Sequence, residues 1–284
     1  MSLKKVMVIG AGQMGSGIAY VSAVNAKKST ILVDDEIVLN KAKKYLNMLF
    51  DKQKGKLTEE MRIIRSRIHF VPRLEEMSLQ ERNDVYFCIE AIPEQFEMKK
   101  TLFEQLDKLL PKDAILASNT SSISISRIAA CTNRPSQVIG QHFMNPVPVL
   151  KLCELIKGLE TSQSTYETTV DLTKQMGKVI TTSSDVPGLI ANRLLCPYIN
   201  EAIIALENGI GSKEDIDTTM VLGMAHRMGP LKLADLIGLD TVLNIMTILH
   251  TELGDKYRPA TLLKSMVYAK KLGKKTGNGF YTYE

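Results

Sequence analysis

Short apolar, β-branched runs alternate with longer amphipathic stretches through the first half of the chain, the pattern of a parallel sheet covered by helices. Strands are expected over Lys5 to Ile9, Thr30 to Val33, Asp84 to Ile89, Ala114 to Ala117, Val138 to His142 and Val149 to Leu155. Helices are expected between them, over Met14 to Asn25, Val38 to Lys54 and Glu94 to Leu110 among others. From about Pro187 onward strand-like runs vanish and helical periodicity continues to Leu272. The stretch SDVPGLIANRL, Ser184 to Leu194, marks the junction, because Pro187 and Gly188 break the chain before a new helix begins. The pattern predicts two domains, residues 1–186 and 187–284, α/β then all-α, with no internal repeat and no low-complexity segment.

Composition narrows the class without naming the chemistry. The chain of 284 residues is 44% hydrophobic and 24% charged, as expected of a globular protein with buried cores. A net charge of +5, spread along the chain, is no nucleic-acid signature, though it suits a polyanionic small molecule. Cys88, Cys131, Cys153 and Cys196 lie far apart with no C-x-x-C pair, so small core residues in a reducing compartment are expected rather than a metal site or a disulfide framework. The N-terminus runs directly into the first strand, which predicts no signal or transit peptide, and no apolar run approaches the roughly 20 residues of a membrane span. An intracellular protein without a membrane partner is the expectation.

The sequence VMVIGAGQMGSGIA adds a specific chemistry. Gly10, Gly12 and Gly15 have G-x-G-x-x-G spacing, with Gln13 and Met14 between them, and the motif follows an apolar strand and opens a helix. Gly10 permits a tight turn, Gly12 lets backbone approach a pyrophosphate, and Gly15 allows close packing of the helix. The helix N-terminus then faces the negative charge. The second strand ends in Asp34, twenty-four residues past Gly10, where an acid accepts the ribose hydroxyls and repels a 2′-phosphate. NAD is therefore expected over NADP, with Asp35 next door leaving the acid uncertain by one position. Together with the alternating elements, the motif predicts an α/β fold of the Rossmann type, a doubly wound, mostly parallel sheet followed by an all-α C-terminal domain.

Ligands of such sheets lie beyond the carboxyl ends of the strands. Two polar clusters fall there, IEAIPEQ and ASNTSSIS; the second reads either as a helix cap, at Ser118 or Ser122, or as a ring of hydrogen-bond donors. Among the four histidines, His142 differs in ending a strand of the same sheet, within IGQHFMNPVPVLKLCEL. His69 and His250 read as structural or surface residues, and His226 as fixing a turn. Twelve residues after His142, Glu154 shares an apolar strand face with Leu150, Leu152 and Ile156. A carboxylate there needs a cation or a donor, and His142 is the nearest candidate; the pairing would orient the ring for acid–base chemistry near neutral pH. Spacing alone leaves open a stray core histidine and an unrelated acid.

The motifs GAGQMG, ASNTSS, IGQHFMNPVPVLKLCE, PGLIANRLL, MGPLKLADLIGLD and GKKTGNGFY, in this order and spacing, resemble the 3-hydroxyacyl-CoA dehydrogenases almost from end to end. The resemblance is to the short form with one helical C-terminal domain, that of the bacterial 3-hydroxybutyryl-CoA enzymes. It implies oxidation of an (S)-3-hydroxyacyl-CoA by NAD, a step of fatty-acid or butyrate metabolism. His142 would be the general base, oriented by Glu154, and Ser121 and Asn192 would bind the substrate oxygen. Glu94, Lys99, Asn145 and Lys275 match family positions near the cofactor. Lys52, Lys54 and Lys56 offer contacts for the phosphates of coenzyme A. Three places depart from the family pattern: NAKKST replaces a glycine-containing turn, Leu189 stands where an aromatic is usual, and Arg227 where a proline is common. The main rival is another two-domain NAD(P)-dependent hydroxyacid dehydrogenase, which would have no use for the pair; a second is an NAD-binding protein without catalysis. Apolar faces in NRLLCPYINEAIIALENG and DLIGLDTVLNIMTIL exceed what one small domain needs, so a homodimer through the helical domain is expected.

Overall fold

The computed structural model describes residues 4–52 and 60–283. The chain divides into two compact units, Met1–Asp185 and Val186–Glu284. The first is an eight-stranded sheet of order β3-β2-β1-β4-β5-β6-β7-β8. Its strands are β1 (Lys5–Ile9), β2 (Thr30–Val33), β3 (Ile68–Val71), β4 (Val85–Glu90), β5 (Ile115–Ser118), β6 (Val138–Phe143), β7 (Leu152–Lys157) and β8 (Val179–Ser184). All neighbours pair in parallel except β6 and β7, which form an antiparallel hairpin. Helices α1 (Gln13–Val24), α2 (Glu36–Lys52), α3 (Met61–Ser66), α4 (Leu79–Asp84), α5 (Phe96–Leu109), α6 (Ile125–Ala129) and α7 (Gln163–Gln175) lie between the strands.

The central strands are apolar throughout because both sheet faces are covered, so Val6, Met7, Val8, Ile31 and Leu32 are all fully buried. On α2, Leu39, Ala42, Leu46 and Phe50 follow helical spacing into the same core, while the other face is charged. Ser78 and Glu81 start α4 with a reciprocal capping box. In the turn before β2, Lys27 adopts a left-handed φ of 53°, as Leu189 does at 52°. These are two of the three places where the sequence departs from the family pattern, and at Lys27 a lysine holds a conformation that glycine adopts without steric cost.

The second unit holds α8 (Ala191–Glu207), α9 (Lys213–Thr218), α10 (Pro230–Ile237), α11 (Leu239–Leu253) and α12 (Thr261–Tyr268) around Ile199, Ile203, Leu231, Val242, Met246 and Leu263. Two buried carboxylates fasten its C-terminal segment. Asp235 accepts from the Phe280 and Tyr281 amides and the Tyr283 hydroxyl, and Asp217 from the Leu231 and Lys232 amides and the Tyr281 hydroxyl. Gly279 lies so close to Asp235 that an added Cβ would fall 2.0 Å from its Oδ1, which explains the glycine in GNGFY. No single helix among the described residues is long and apolar enough to cross a membrane.

Two strands, β3 and β8, are absent from the elements expected above. One is a four-residue edge strand and the other, VITTSS, is largely exposed and polar, so neither carries a strong apolar signal. The expected strand from Val149 begins only at Leu152. Val149 and Leu150 belong instead to the turn after β6, where they are 70% and 42% exposed.

Candidate active site

The glycine turn between β1 and α1 fits a dinucleotide on steric grounds. Gly10 has φ +95°, and a Cβ on it would stand 2.5 Å from the Ala91 oxygen; one on Gly15 would stand 1.6 Å from the oxygen of Gly10. Gly12 differs, with nothing within 4 Å of its missing Cβ, so open space lies directly over the helix N-terminus. Gln13 is exposed and Met14 half-buried there, and the first turn of α1 carries no acid to neutralise its positive end. Asp34, at the end of β2, reaches back to accept the Ala11 amide at 2.6 Å. Asp35 caps α2 instead, accepting the Val38 amide at 2.9 Å. The two acids therefore have different tasks, and Asp34 is the one facing the glycine turn.

Beyond β1 the sheet edge is lined by charge. Glu90 ends β4 opposite Ile9 and is fully buried. Its Oε1 accepts from the Ile92 amide and, at 2.5 Å, from the Lys99 ammonium, while Oε2 accepts from the Ser118 hydroxyl at 2.6 Å. Lys99, 1% exposed, also reaches Glu94 at 3.3 Å and the Ile92 oxygen at 3.4 Å. Those three partners match its three protons. The family position expected near the cofactor thus holds a lysine directed at two carboxylates.

Glu94 in turn organises the polar cluster after β5. Its Oε1 accepts from the Thr120 hydroxyl at 2.6 Å and from the amides and hydroxyls of Ser121 and Ser122 at 2.8 to 3.2 Å. The ring of donors is therefore real and directed at Glu94, and the helix cap falls to Ser124, which accepts the Arg127 amide at the start of α6. Asn119, inside this turn, donates its amide to the Glu90 oxygen and accepts the Phe143 amide on its side chain at 2.8 Å. The serine turn is thereby tied to the residue after His142.

His142 and Glu154 face each other directly in the antiparallel register of β6 and β7. The His142 Nδ1 and Glu154 Oε2 are 2.9 Å apart, with side chains 11% and 1% exposed. The turn joining the strands carries Asn145, which is exposed, and is held at its far end by Lys178, whose ammonium donates to the Val147 and Leu150 oxygens. Burial lowers the Lys178 pKa, and two carbonyls stand in for its hydration shell. The same turn leans on α1: a Cβ on Gly17 would meet the Val147 side chain at 2.9 Å. Small residues in α1 thus bring the hairpin turn against the helix that opens at the glycine loop.

In the helical unit, Asn192 lies half-buried in the first turn of α8, and Lys275 pairs with Asp240 at 2.5 Å. His226 contacts the Tyr198 hydroxyl and His250 pairs with Asp255, both within the helical unit. Lys52 is exposed at the end of α2, and Lys54 and Lys56 lie outside the described residues. Glu90, Asn119 and Lys178, which build the site's frame, are not named among the residues expected from the sequence; Glu90 and Asn119 fall inside the polar clusters IEAIPEQ and ASNTSSIS, whereas Lys178 carries no signal there.

Comparison with known proteins decides the class. The model for the NAD binding domain of 3-hydroxyacyl-CoA dehydrogenase matches residues 5–186, and that for the C-terminal domain matches residues 188–283. The chain belongs to the 3-hydroxyacyl-CoA dehydrogenase family. It is 50% identical over its whole length to a probable 3-hydroxybutyryl-CoA dehydrogenase of Bacillus subtilis, covering 99% of that protein. With the 3-hydroxybutyryl-CoA dehydrogenase of Bradyrhizobium diazoefficiens identity is 46%, over 99% of this chain and 96% of the other. The crystal structure of (S)-3-hydroxybutyryl-CoA dehydrogenase from Ralstonia eutropha superposes with a TM-score of 0.93 at 43% identity, each chain fully covered. As a 3-hydroxyacyl-CoA dehydrogenase the chain is an oxidoreductase that uses NAD.

The electrostatics of Glu94 lead to a pH dependence. Burial acts to raise its pKa, but the Lys99 ammonium and the donors from Thr120, Ser122 and Ser121 outweigh it, leaving the value below the ordinary 4.5. The unfolded chain then binds the extra proton, so this contribution is complete above the ordinary value and is lost as pH falls through the lowered one. The difference in unfolding free energy between wild type and Glu94→Gln, followed by urea denaturation, should shrink as pH is taken below 4.5. A difference that stays constant with pH would contradict this account.

Proposed function

We propose that this 3-hydroxyacyl-CoA dehydrogenase interconverts (S)-3-hydroxybutyryl-CoA and acetoacetyl-CoA, with His142 as general acid and base and Glu154 as the carboxylate that orients it. The observation carrying this reading is the 2.9 Å pairing of the two at the carboxyl edge of β6. With Nδ1 directed at Glu154, the imidazole presents Nε2 as its basic nitrogen. Nε2 takes the proton of the 3-hydroxyl, and the Glu154 carboxylate stabilises the imidazolium that forms. NAD, when bound, accepts the hydride that leaves C3. In the reverse direction the protonated ring returns its proton to the ketone oxygen.

Ser121 is suited to meet charge on that oxygen, since Glu94 holds its amide at 2.8 Å while the hydroxyl, at the longer 3.2 Å, can turn its one proton from Glu94 to the developing charge. Asn192 has the same role by resemblance to the family. Asp34 binds the adenosine ribose, and Gly10, Gly12, Gln13, Met14 and Gly15 line the pyrophosphate. Glu94, Asn145 and Lys275 serve the rest of the cofactor, Lys99 acting through Glu94. Lys52, Lys54 and Lys56 serve the coenzyme A phosphates. The short acyl chain is supported by relatives whose names specify the hydroxybutyryl substrate at identities of 46% and 50%. A homodimer through the helical unit is supported by exposed apolar side chains there, with Ile210, Leu222 and Tyr268 each more than three-quarters exposed.

NADH oxidation with acetoacetyl-CoA should be fast and should weaken with longer 3-ketoacyl chains; no turnover with any chain length would overturn the activity. His142→Ala and Glu154→Gln should each lower kcat by roughly 10²-fold or more with a smaller change in KM, and full turnover in both would overturn the mechanism. Sedimentation equilibrium should give twice the chain mass, whereas a monomer at every concentration would refute the dimer.

A further inference from the structure

Behind the serine turn lies a buried carboxylate, Glu90, that none of the roles proposed above uses. Glu90 lies below the surface at the end of β4, with no exposed area, and its carboxylate accepts from Ile92, Lys99 and Ser118. Such a group is expensive to bury, and a buried ion pair is weak grounds for stability, since well-packed apolar residues do as well or better. Oε1 also accepts the Ile92 amide, but the carboxylate's two side-chain partners lead to one place. Oε1 holds the Lys99 ammonium, which is the cation facing Glu94; Oε2 holds the Ser118 hydroxyl, which accepts the Thr120 amide at the mouth of the turn. Glu94 then grips Ser121 by amide and hydroxyl.

We propose that Glu90 is a positioning residue for the dehydrogenase reaction: its two carboxylate oxygens set Lys99 and Ser118, and through them the Glu94 carboxylate and the serine turn that aims Ser121. The proposal rests on the reading of Ser121 as the contact for the reacting oxygen. Charge makes the arrangement specific. Two carboxylates share one ammonium, so Lys99 is held between two opposing pulls, and its position depends on both. Replacing Glu90 by glutamine keeps the shape but removes one pull, and the ammonium moves toward Glu94. The amide nitrogen of that glutamine also faces Ser118 as a donor where the carboxylate accepted, which disturbs the Thr120 contact. Both changes reach Ser121 without altering any group that touches it.

The test is a double-mutant cycle on the full chain, with kcat/KM for acetoacetyl-CoA measured at saturating NADH. Glu90→Gln should lower kcat/KM by roughly tenfold, less than the ~10²-fold that an ångström of misplacement costs. In a Ser121→Ala background the same substitution should cost less than about twofold, because the group it positions is gone. A merely structural Glu90 would cost the same factor in both backgrounds, and that result overturns the proposal, as does a Glu90→Gln enzyme with unchanged kcat/KM beside an impaired Ser121→Ala. If Ser121→Ala itself turns over like wild type, the reading of Ser121 fails and takes the proposal with it. Should Glu90→Gln not fold, Ser118→Ala removes only the hydroxyl bound to Glu90. It should cost about threefold alone and nothing in the Ser121→Ala background, and equal costs in both would overturn the proposal.

Discussion

A histidine and a glutamate set opposite each other on adjacent antiparallel strands fix what the rest of this molecule has to supply. Among the described residues the β6–β7 hairpin is the one antiparallel pairing in the sheet, and its register puts His142 against Glu154 at 2.9 Å with both largely withdrawn from water. A shift of one residue would turn either side chain to the other face of the sheet. The register is guarded on both sides of the turn. Asn119 bonds the Phe143 amide beside the histidine, and Lys178 closes the turn by donating to the Val147 and Leu150 oxygens. Gly17 lets that turn rest against α1. The helix that opens at the glycine loop and the hairpin that carries the pair are therefore packed as one piece.

The same sheet edge solves a second electrostatic problem. Glu90, Glu94 and Lys99 bring two carboxylates and one ammonium together where the strands end, beside the glycine turn after β1. Isolated, any of them would be costly to bury. Together with the Ser118 hydroxyl and the donors of residues 120–122 they form a satisfied network, which holds a loop of small polar residues in one arrangement. A turn of this composition would otherwise have many conformations open to it.

Much of this is legible in the residue pattern. β1 and β2 fall where continuous apolar runs put them, because burial on both faces leaves no room for polar alternation. The glycine motif and its acid stand out because steric demands at Gly10 and Gly15 are absolute, whereas the choice between Asp34 and Asp35 turns on the capping bond of Asp35, which only the folded chain displays. The link between His142 and Glu154 lies beyond spacing, since a twelve-residue separation does not say where the hairpin turns. Val149 and Leu150, apolar yet exposed, even point to the wrong strand start. Lys178 is silent, and the partner of Asn119 within ASNTSSIS is hidden, because both bond main-chain groups of distant segments, which leave no mark in the residue pattern.

If the pair acts as one unit, its two members cannot be lost twice. The most direct measurement is kcat for the double variant His142→Ala/Glu154→Gln beside the two single variants, in NADH oxidation with acetoacetyl-CoA. Glu154 orienting His142 predicts that the double variant is no slower than His142→Ala alone, because a carboxylate with no ring to hold has nothing further to contribute. A double variant slowed by the product of the two single factors would show two independent groups and contradict the account.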